Sequence, residues 1–402
     1  MNETSTRRLV PILGLLGAIG PLSIDMYLPG MPQIAYSLNI GEGAVQFSLM
    51  TFFAGLMIGQ LFFGPLSDAL GRKSMICAGL SVFIVASVGC GLADTAMQFC
   101  LWRFLQGLGG SVGFVIGLAI VRDLFSGRAA AGLISLVMIV QGVAPVVAPM
   151  LGTAIIAVAP WPMIFLALAV FGTVCLFLVC LKLPETRAAD FRGGRRPMKA
   201  VRTYGTLLVD RQFLPYACVL SFAMAGFFAY LAGSSFVFIS IHELSPTMFS
   251  VLFGINAVGL MVGAQIAPRL MTMYAPQRII QVALAFYTSA AIAVTAIDFV
   301  SGADVILTAA SLFIVIASMA FVMPLASALT LESFGAISGT ASALLGAMNF
   351  AAGTVATLFV AVFADGTARP MMTTITVCGI AASAAAMYAF PKRQVPRASQ
   401  SD

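Results

Sequence analysis

The sequence predicts an all-α membrane protein: twelve transmembrane helices in two six-helix bundles, with both termini in the cytoplasm. Three observations predict it. The chain of 402 residues is 60% hydrophobic and only 9% charged, against roughly 25% charged for a soluble domain. Twelve apolar stretches run through it, each close to the ~20 residues that a helix needs to cross a hydrocarbon core. Its basic residues gather on alternate loops. Backbone groups in lipid must be bonded within their own segment or in a closed barrel. Stretches this long, without period-two alternation, are helices.

The first span, 9–29, follows the basic pair Arg7 and Arg8. Thr6-Arg7-Arg8 faintly resembles a twin-Arg export signal, but eleven further spans and no small-residue cleavage site predict a retained first helix. Spans two to six fall at 44–66, 74–93, 98–121, 130–157 and 161–183. Residues 184–211 are polar and rich in Arg, with Gly193, Gly194 and Pro197. Spans seven to twelve fall at 212–240, 247–271, 279–299, 303–328, 337–363 and 370–390. The predicted domains are therefore a first bundle over 1–183, a linker over 184–211, a second bundle over 212–390 and a tail over 391–402.

Of the 21 Lys and Arg, all but Arg103 and Arg369 fall on the N-terminal segment, the 67–73 turn, 122–129, 182–211, 269–278 and the tail. The opposite loops carry Glu42, Asp94, Glu243, Asp298, Asp304 and Asp365. The basic side is the cytoplasmic one by the positive-inside rule. The net charge of +6 is thus a topology signal and no argument for nucleic acid. The seven cysteines lie in or at the ends of spans with no metal-ligand spacing. They read as small apolar packing residues, and no metal or cofactor is expected. The lone His242 reads as a loop residue.

An internal repeat supports the division into halves. Residues Gly55 to Gly59 read GLMIG, and Gly259 to Gly263 read GLMVG. Both lie in the second span of their half, as parallel repeats require. Small residues at this spacing let helices approach closely.

Three motifs narrow the class. The turn between spans two and three reads Gly64-Pro65-Leu66-Ser67-Asp68-Ala69-Leu70-Gly71-Arg72-Lys73. One acid, two glycines and two adjacent bases fall there at fixed spacing. Residues Pro21 to Pro32 in span one read PLSIDMYLPGMP. Span four carries Arg103, Gln106, Gly107, Gly109 and Gly110. The turn resembles the signature loop of the major facilitator superfamily of transporters. The span-one string resembles the Bcr/CflA branch of that superfamily, whose members export bicyclomycin and chloramphenicol. Span four resembles the superfamily's Arg-x-x-Gln-Gly pattern. Span five departs from the usual exporter motif: Ala144 and Ala148 replace glycines, and Thr153 replaces the last glycine.

The resemblance implies a proton-coupled secondary transporter of the bacterial inner membrane that exports small, mostly neutral drugs by alternating access. The compounds implied resemble bicyclomycin, chloramphenicol or the sulfonamides. Its partners would be the drug, the proton and the bilayer, with the protein a monomer and not an enzyme. It also implies that Gly64, Asp68, Gly71, Arg72 and Lys73 gate the cytoplasmic side. There Asp68 would meet a helix N-terminus of the other half, and Arg122 would be a basic partner.

The residues themselves point to Asp25 and Arg103 as the proton-coupling pair, because an ionisable side chain inside a span is costly and by default functional. Asp25 is 16 residues beyond Leu9, about 24 Å deep at 1.5 Å per residue. Arg103 is five residues beyond Gln98 on a helix entering from the other side, about 8 Å deep. In a core about 30 Å thick the two depths nearly coincide, so the pair is expected to share a cavity. Burial favours a neutral acid and a nearby cation favours its charged form; small helix movements would shift that balance. A static ion pair that fixes helix packing is the alternative use of the same two residues. Tyr27, Gln106, Phe227, Phe228, Tyr230, Asn256 and Asn349 are the expected drug-contacting residues: an aromatic wall with a few amides, as small-molecule pockets have. No nucleotide-binding loop is present. Two other readings stand beside export: an uptake symporter of the same fold, and a polytopic sensor that binds a ligand without moving it.

Overall fold

The computed structural model describes residues 3–125, 127–186, 196–302 and 304–390. Fourteen α-helices are present among them. In chain order they are α1 (Glu3–Asp25), α2 (Met31–Ser37), α3 (Glu42–Leu70), α4 (Arg72–Gly91), α5 (Ala96–Leu124), α6 (Gly127–Val158) and α7 (Pro162–Lys182). There follow α8 (Arg196–Leu207), α9 (Leu214–Ser235), α10 (Pro246–Met271), α11 (Pro276–Ser301), α12 (Val305–Leu331), α13 (Ser338–Val362) and α14 (Arg369–Ala389). Twelve helical stretches among the described residues are long and apolar enough to cross a membrane. The all-helical, twelve-span class expected from hydropathy is what the chain forms.

Three departures from uninterrupted spans have local causes. The first span breaks. α1 ends at Asp25, a 3-10 turn covers Leu28–Gly30, and α2 resumes at Met31. Pro29 and Pro32 lack the N–H that would continue the ladder. The seventh span ends in a π-helical stretch, Phe236–Ile241. Within 184–211, expected only as a polar linker, α8 forms with Ala200, Tyr204 and Leu207 on its packed side.

Burial of apolar surface does not drive helices together in lipid, so close packing must. The GLMIG repeat provides it. A side chain on Gly55 would collide with the Phe104 carbonyl, and one on Gly59 with Ser111. A side chain on Gly107 would collide with the Phe52 carbonyl. These three glycines bring α3 and α5 to backbone contact. In the second half Gly259 and Gly263 lie against Phe313 and Ala320, joining α10 to α12. The same motif does the same job at equivalent places.

The two halves meet along α3 and α13, and along α6 and α10. One end of the molecule carries the α3–α4 turn and α8, and is called here the linker end. At the far end the halves are bonded shut. The Ser235 hydroxyl donates to the Leu28 carbonyl at 2.5 Å. Thr153 and Ser250 share a hydrogen bond of 2.7 Å between α6 and α10, and Ser250 also donates to the Pro149 carbonyl at 3.2 Å. Gly43 of α3 lies directly on the Ala361 carbonyl of α13.

Candidate functional site

Arg103 is wholly buried. Its Nη1 donates to the backbone carbonyl of Ser23 at 3.1 Å and to the Gln106 Oε1 at 2.5 Å. The guanidinium sits between two rings, with the Tyr27 and Phe52 centroids each 4.3 Å away. Desolvated contacts of this kind are worth about 2 kcal/mol or more. Gln106 passes its amide N–H to the Ser87 hydroxyl at 2.8 Å, and Ser87 donates to the Phe83 carbonyl. Arg103 Nε and Nη2 are buried without partners, as is the Tyr27 hydroxyl. The Ser23 carbonyl is among the last four of α1, which no helical N–H can reach. A cation there also meets the negative end of the helix dipole. Arg103 therefore caps the break in the first span.

Asp25 is the last residue of α1 and is 4% exposed. Among the described residues its carboxyl takes part in no hydrogen bond or ion pair. The shared cavity and direct pairing with Arg103 expected from depth are not what this structure contains. Of the guanidinium only Nη1 is engaged, on Ser23 and Gln106, and neither Nε nor Nη2 is bonded to the Asp25 carboxyl. Asp25 instead lies within electrostatic reach of Tyr230 on α9. Gly152 of α6 permits this geometry, since any side chain there would strike the Met26 carbonyl.

The expected drug-contacting residues separate into two groups. Tyr27 and Gln106 are fully buried beside Arg103 inside the first half. Tyr230 accepts a hydrogen bond of 3.0 Å from the Asn256 amide, and Phe227 packs at 6.4 Å from the Tyr230 ring. Asn349 of α13 accepts from the Ser221 hydroxyl at 3.0 Å. Phe227, Tyr230 and Asn256 are thus joined to one another, while Asn349 joins α13 to α9 nearer the linker end.

Between the halves stands an aromatic plug that sequence reasoning named only through Phe228. The Phe53 and Phe228 centroids are 4.4 Å apart, Phe228 and Phe350 are 5.5 Å apart, and Phe114 and Phe350 are 6.1 Å apart. The rings come from α3, α9, α13 and α5. Nothing in a chain with 31 phenylalanines singles out these three others. On the linker side of the plug opens a cavity of about 390 Å³, lined by Phe114, Gln60, Asp68, Tyr204, Thr340 and Ser342 among others. The far end is sealed and the linker end is open.

The α3–α4 turn is folded onto its own half. Arg72 pairs with Asp68 one turn back and with Asp123 of α5 at 3.0 Å, and donates to Ser67 at 2.6 Å. The Arg72 N–H donates to Glu185 at 2.9 Å, so an acid caps α4 at its positive end. Gly71 adopts φ +103°, and a side chain there would meet the same carboxylate. Gly64 lines the cavity. Lys73 donates to the Cys180 carbonyl at 2.8 Å. The helix N-terminus of the other half is not the partner of Asp68 in this state; Arg72 is. The side chain of Arg122 lies outside the described residues. Asp123, which sequence reasoning passed over, is the α5 residue that holds the turn.

A family model described as Major Facilitator Superfamily matches residues 13–357. The chain belongs to the major facilitator superfamily. It is 36% identical over 388 residues to an uncharacterized MFS-type transporter, YdgK, of Bacillus subtilis, covering 96% of both chains. It is 30% identical over 404 residues to a bicyclomycin resistance protein homolog of Haemophilus influenzae, covering 98% of both. It is 29% identical to the multidrug resistance protein MdtL of Escherichia coli, over 93% of this chain and 94% of that one. These relatives bear out the Bcr/CflA resemblance of span one. Among solved structures, a bacterial homolog of the lysosomal transporter Spinster, inward-facing and unoccupied, superposes with a TM-score of 0.74 at 15% identity over 97% of this chain and 98% of that one. A D-xylose–proton symporter superposes with a TM-score of 0.74 at 14% identity, over the same shares. At such identity they bear on the fold alone. This facilitator is a multi-pass inner-membrane transporter and not an enzyme.

Proposed function

We propose that this facilitator exports small, mostly neutral drugs in exchange for protons. The observation that carries the reading is Asp25: an enclosed acid without a fixed partner, at a helix break, within electrostatic reach of Tyr230 of the other half. Enclosing it charged is expensive, so enclosure and proton binding are linked. Rocking of the two halves would expose Asp25 to one side and then the other. The driving force is about 2.3 kcal/mol per charge per 100 mV, which sustains roughly a 50-fold gradient of a neutral solute per proton.

The linker end is the cytoplasmic one in this reading, and its cavity is where drug enters. Phe227, Tyr230, Asn256 and Asn349 form the binding face, with Phe227 and Asn349 next in the chain to the plug residues Phe228 and Phe350. Arg103, Gln106 and Tyr27 position the α1 break and do not touch drug. One acid and no free base at the binding face suit a neutral solute. The resistance proteins among the relatives support export as the direction of transport.

The test is purified protein in proteoliposomes under an imposed pH gradient, with a panel of neutral antibiotics. Export reads as drug movement opposite to the proton flux, with alkalinisation or acidification of the lumen to match. Drug movement in the same direction as protons would mean uptake by symport. Saturable binding with no movement at all would make the protein a sensor.

A further inference from the structure

Pro65 lies inside α3, four residues after Leu61. In an α-helix the Leu61 carbonyl would accept from the N–H of residue 65, and proline has none. That carbonyl is a strong acceptor that must find another partner. It finds one outside its own half: the Tyr204 hydroxyl of α8 donates to it at 3.1 Å. We propose that Tyr204 is a positioning residue of the transport cycle. Its bond to the carbonyl released by Pro65 seats the linker helix in the seam between the halves and favours the state open at the linker end. The proposal rests on the alternating-access reading above.

Three observations support a role beyond packing. First, α8 contacts both α3 and α13, the two helices whose linker ends must close on each other when the cavity collapses. Second, Tyr204 is 8% exposed and lines the cavity opposite Thr340 and Ser342. It stands where that closure would occur. Third, Asp68 of the gating turn lies close enough to act on it. The phenol is pushed up to about 12, first by burial and then by the Asp68 charge. The hydroxyl therefore stays a donor throughout the physiological range. Leu207 packs beside it on the same face of α8, so the ring and Leu207 keep the helix attached while the hydroxyl fixes where it sits.

The closure logic is a population shift. A bond made only in the open state raises that state's share by its own strength. Interhelical hydrogen bonds in membranes average about 0.6 kcal/mol, which is a threefold change in the ratio of open to closed molecules. Tyr204→Phe removes the hydroxyl and keeps the ring. Pro65→Ala restores an N–H to the Leu61 carbonyl within α3, so the hydroxyl has less to offer. The two substitutions make a cycle whose outcome packing alone would not produce.

The experiment is labelling of Thr340→Cys by a water-soluble maleimide, in a background with the seven native cysteines replaced. Ala361→Cys, in the far-end seam, serves as the reporter of the opposite opening. With Tyr204→Phe we expect Thr340→Cys labelling to fall and Ala361→Cys labelling to rise, by about threefold in their ratio. In the Pro65→Ala background the same substitution should change the ratio by less than half as much. A second readout is hydrogen exchange of the α8 amides, which Tyr204→Phe should accelerate only when Pro65 is present. An unchanged labelling ratio and unchanged α8 exchange in Tyr204→Phe would overturn the proposal. Equal effects in both backgrounds would overturn the link to the Leu61 carbonyl, and with it the proposal. Labelling as expected in a protein that moves no drug in proteoliposomes would sink the transport reading and leave the latch standing.

Discussion

Arg103 donates to the Ser23 backbone carbonyl at 3.1 Å, two residues short of Asp25. The relationship changes what the arginine is for. A guanidinium on the carboxylate would set proton affinity directly. A guanidinium on the last turn of α1 fixes where the helix stops, and so where Asp25 is presented.

Arg103→Ala should therefore act on structure before it acts on titration. It leaves the Ser23 carbonyl and the Gln106 side chain without a donor, at about 1–3 kcal/mol for each buried acceptor. Thermal stability in detergent should drop, and exchange should weaken at every pH. The midpoint of drug-induced proton release should stay where it is in any remaining activity. Arg103→Lys should recover part of the stability, since a point charge can serve Ser23 or Gln106 but not fill the slot between Tyr27 and Phe52 as a planar fork does. A displaced midpoint with unchanged stability would mean that the guanidinium reaches the carboxylate elsewhere in the cycle.

Asp25→Asn keeps the shape and removes the proposed proton carrier. Proton-driven efflux should vanish while expression, folding and drug binding persist. Counterflow is the decisive measurement: exchange of labelled for unlabelled drug needs no net proton movement and should continue in the variant. Uphill transport at wild-type rate in Asp25→Asn would assign coupling to another residue.

Fold and site were not equally legible in the sequence. Span number followed from length and hydropathy, because lipid leaves the backbone no choice but helix. The GLMIG repeat was legible because glycine at that spacing has one common use in a membrane, and Gly55 and Gly259 both fulfil it. The turn from Gly64 to Lys73 declared itself by its charges, yet its partners Asp123 and Glu185 did not. Those two are ordinary acids near helix ends, and only the folded chain brings them to Arg72. A rise of 1.5 Å per residue puts Asp25 and Arg103 near one level, which agrees with the reach of Arg103 to Ser23. Depth says nothing about rotation around a helix axis, and rotation is what turns Arg103 toward Ser23 and Asp25 toward Tyr230. The plug escaped notice for a similar reason. Phe53, Phe114 and Phe350 differ from other phenylalanines only in where tertiary packing aims them.

Thr153 gives the departure in span five a physical use. Where exporters of the common pattern end on glycine, this chain places a hydroxyl that bonds Ser250 across the far-end seam at 2.7 Å. Thr153→Gly should loosen that seam by about 0.6 kcal/mol, or roughly threefold in the population opened at the far end. Ser250→Ala should loosen it further, because it also removes the bond to the Pro149 carbonyl, and adding Thr153→Gly to it should change little, because the shared bond is already gone. Spin-label distances between α6 and α10 report the seam. Strict additivity of the two changes would show that the hydrogen bond carries no coupling between the halves.

Asp68→Asn tests the gating role proposed for the turn. In the state described, Asp68 is held by Arg72, and Arg72 keeps Asp123 and Ser67 if Asp68 is neutralised. The pair is partly exposed, so its contribution to stability is about 0–1 kcal/mol, and the folded protein should survive the change with little loss. The binding face proposed around Tyr230 and Asn256 is separate from the turn, so drug affinity should also survive. What should suffer is the closure of the linker end, where the turn must exchange its partners within the first half for partners in the second. Turnover is thus expected to fall severalfold or more while the dissociation constant stays within about twofold, and Asp68→Glu should recover part of the rate because the charge is kept. Equilibrium binding and initial efflux rate measured on one preparation separate the two quantities. A large loss of affinity with turnover intact would place Asp68 on the drug's path and remove it from the gate.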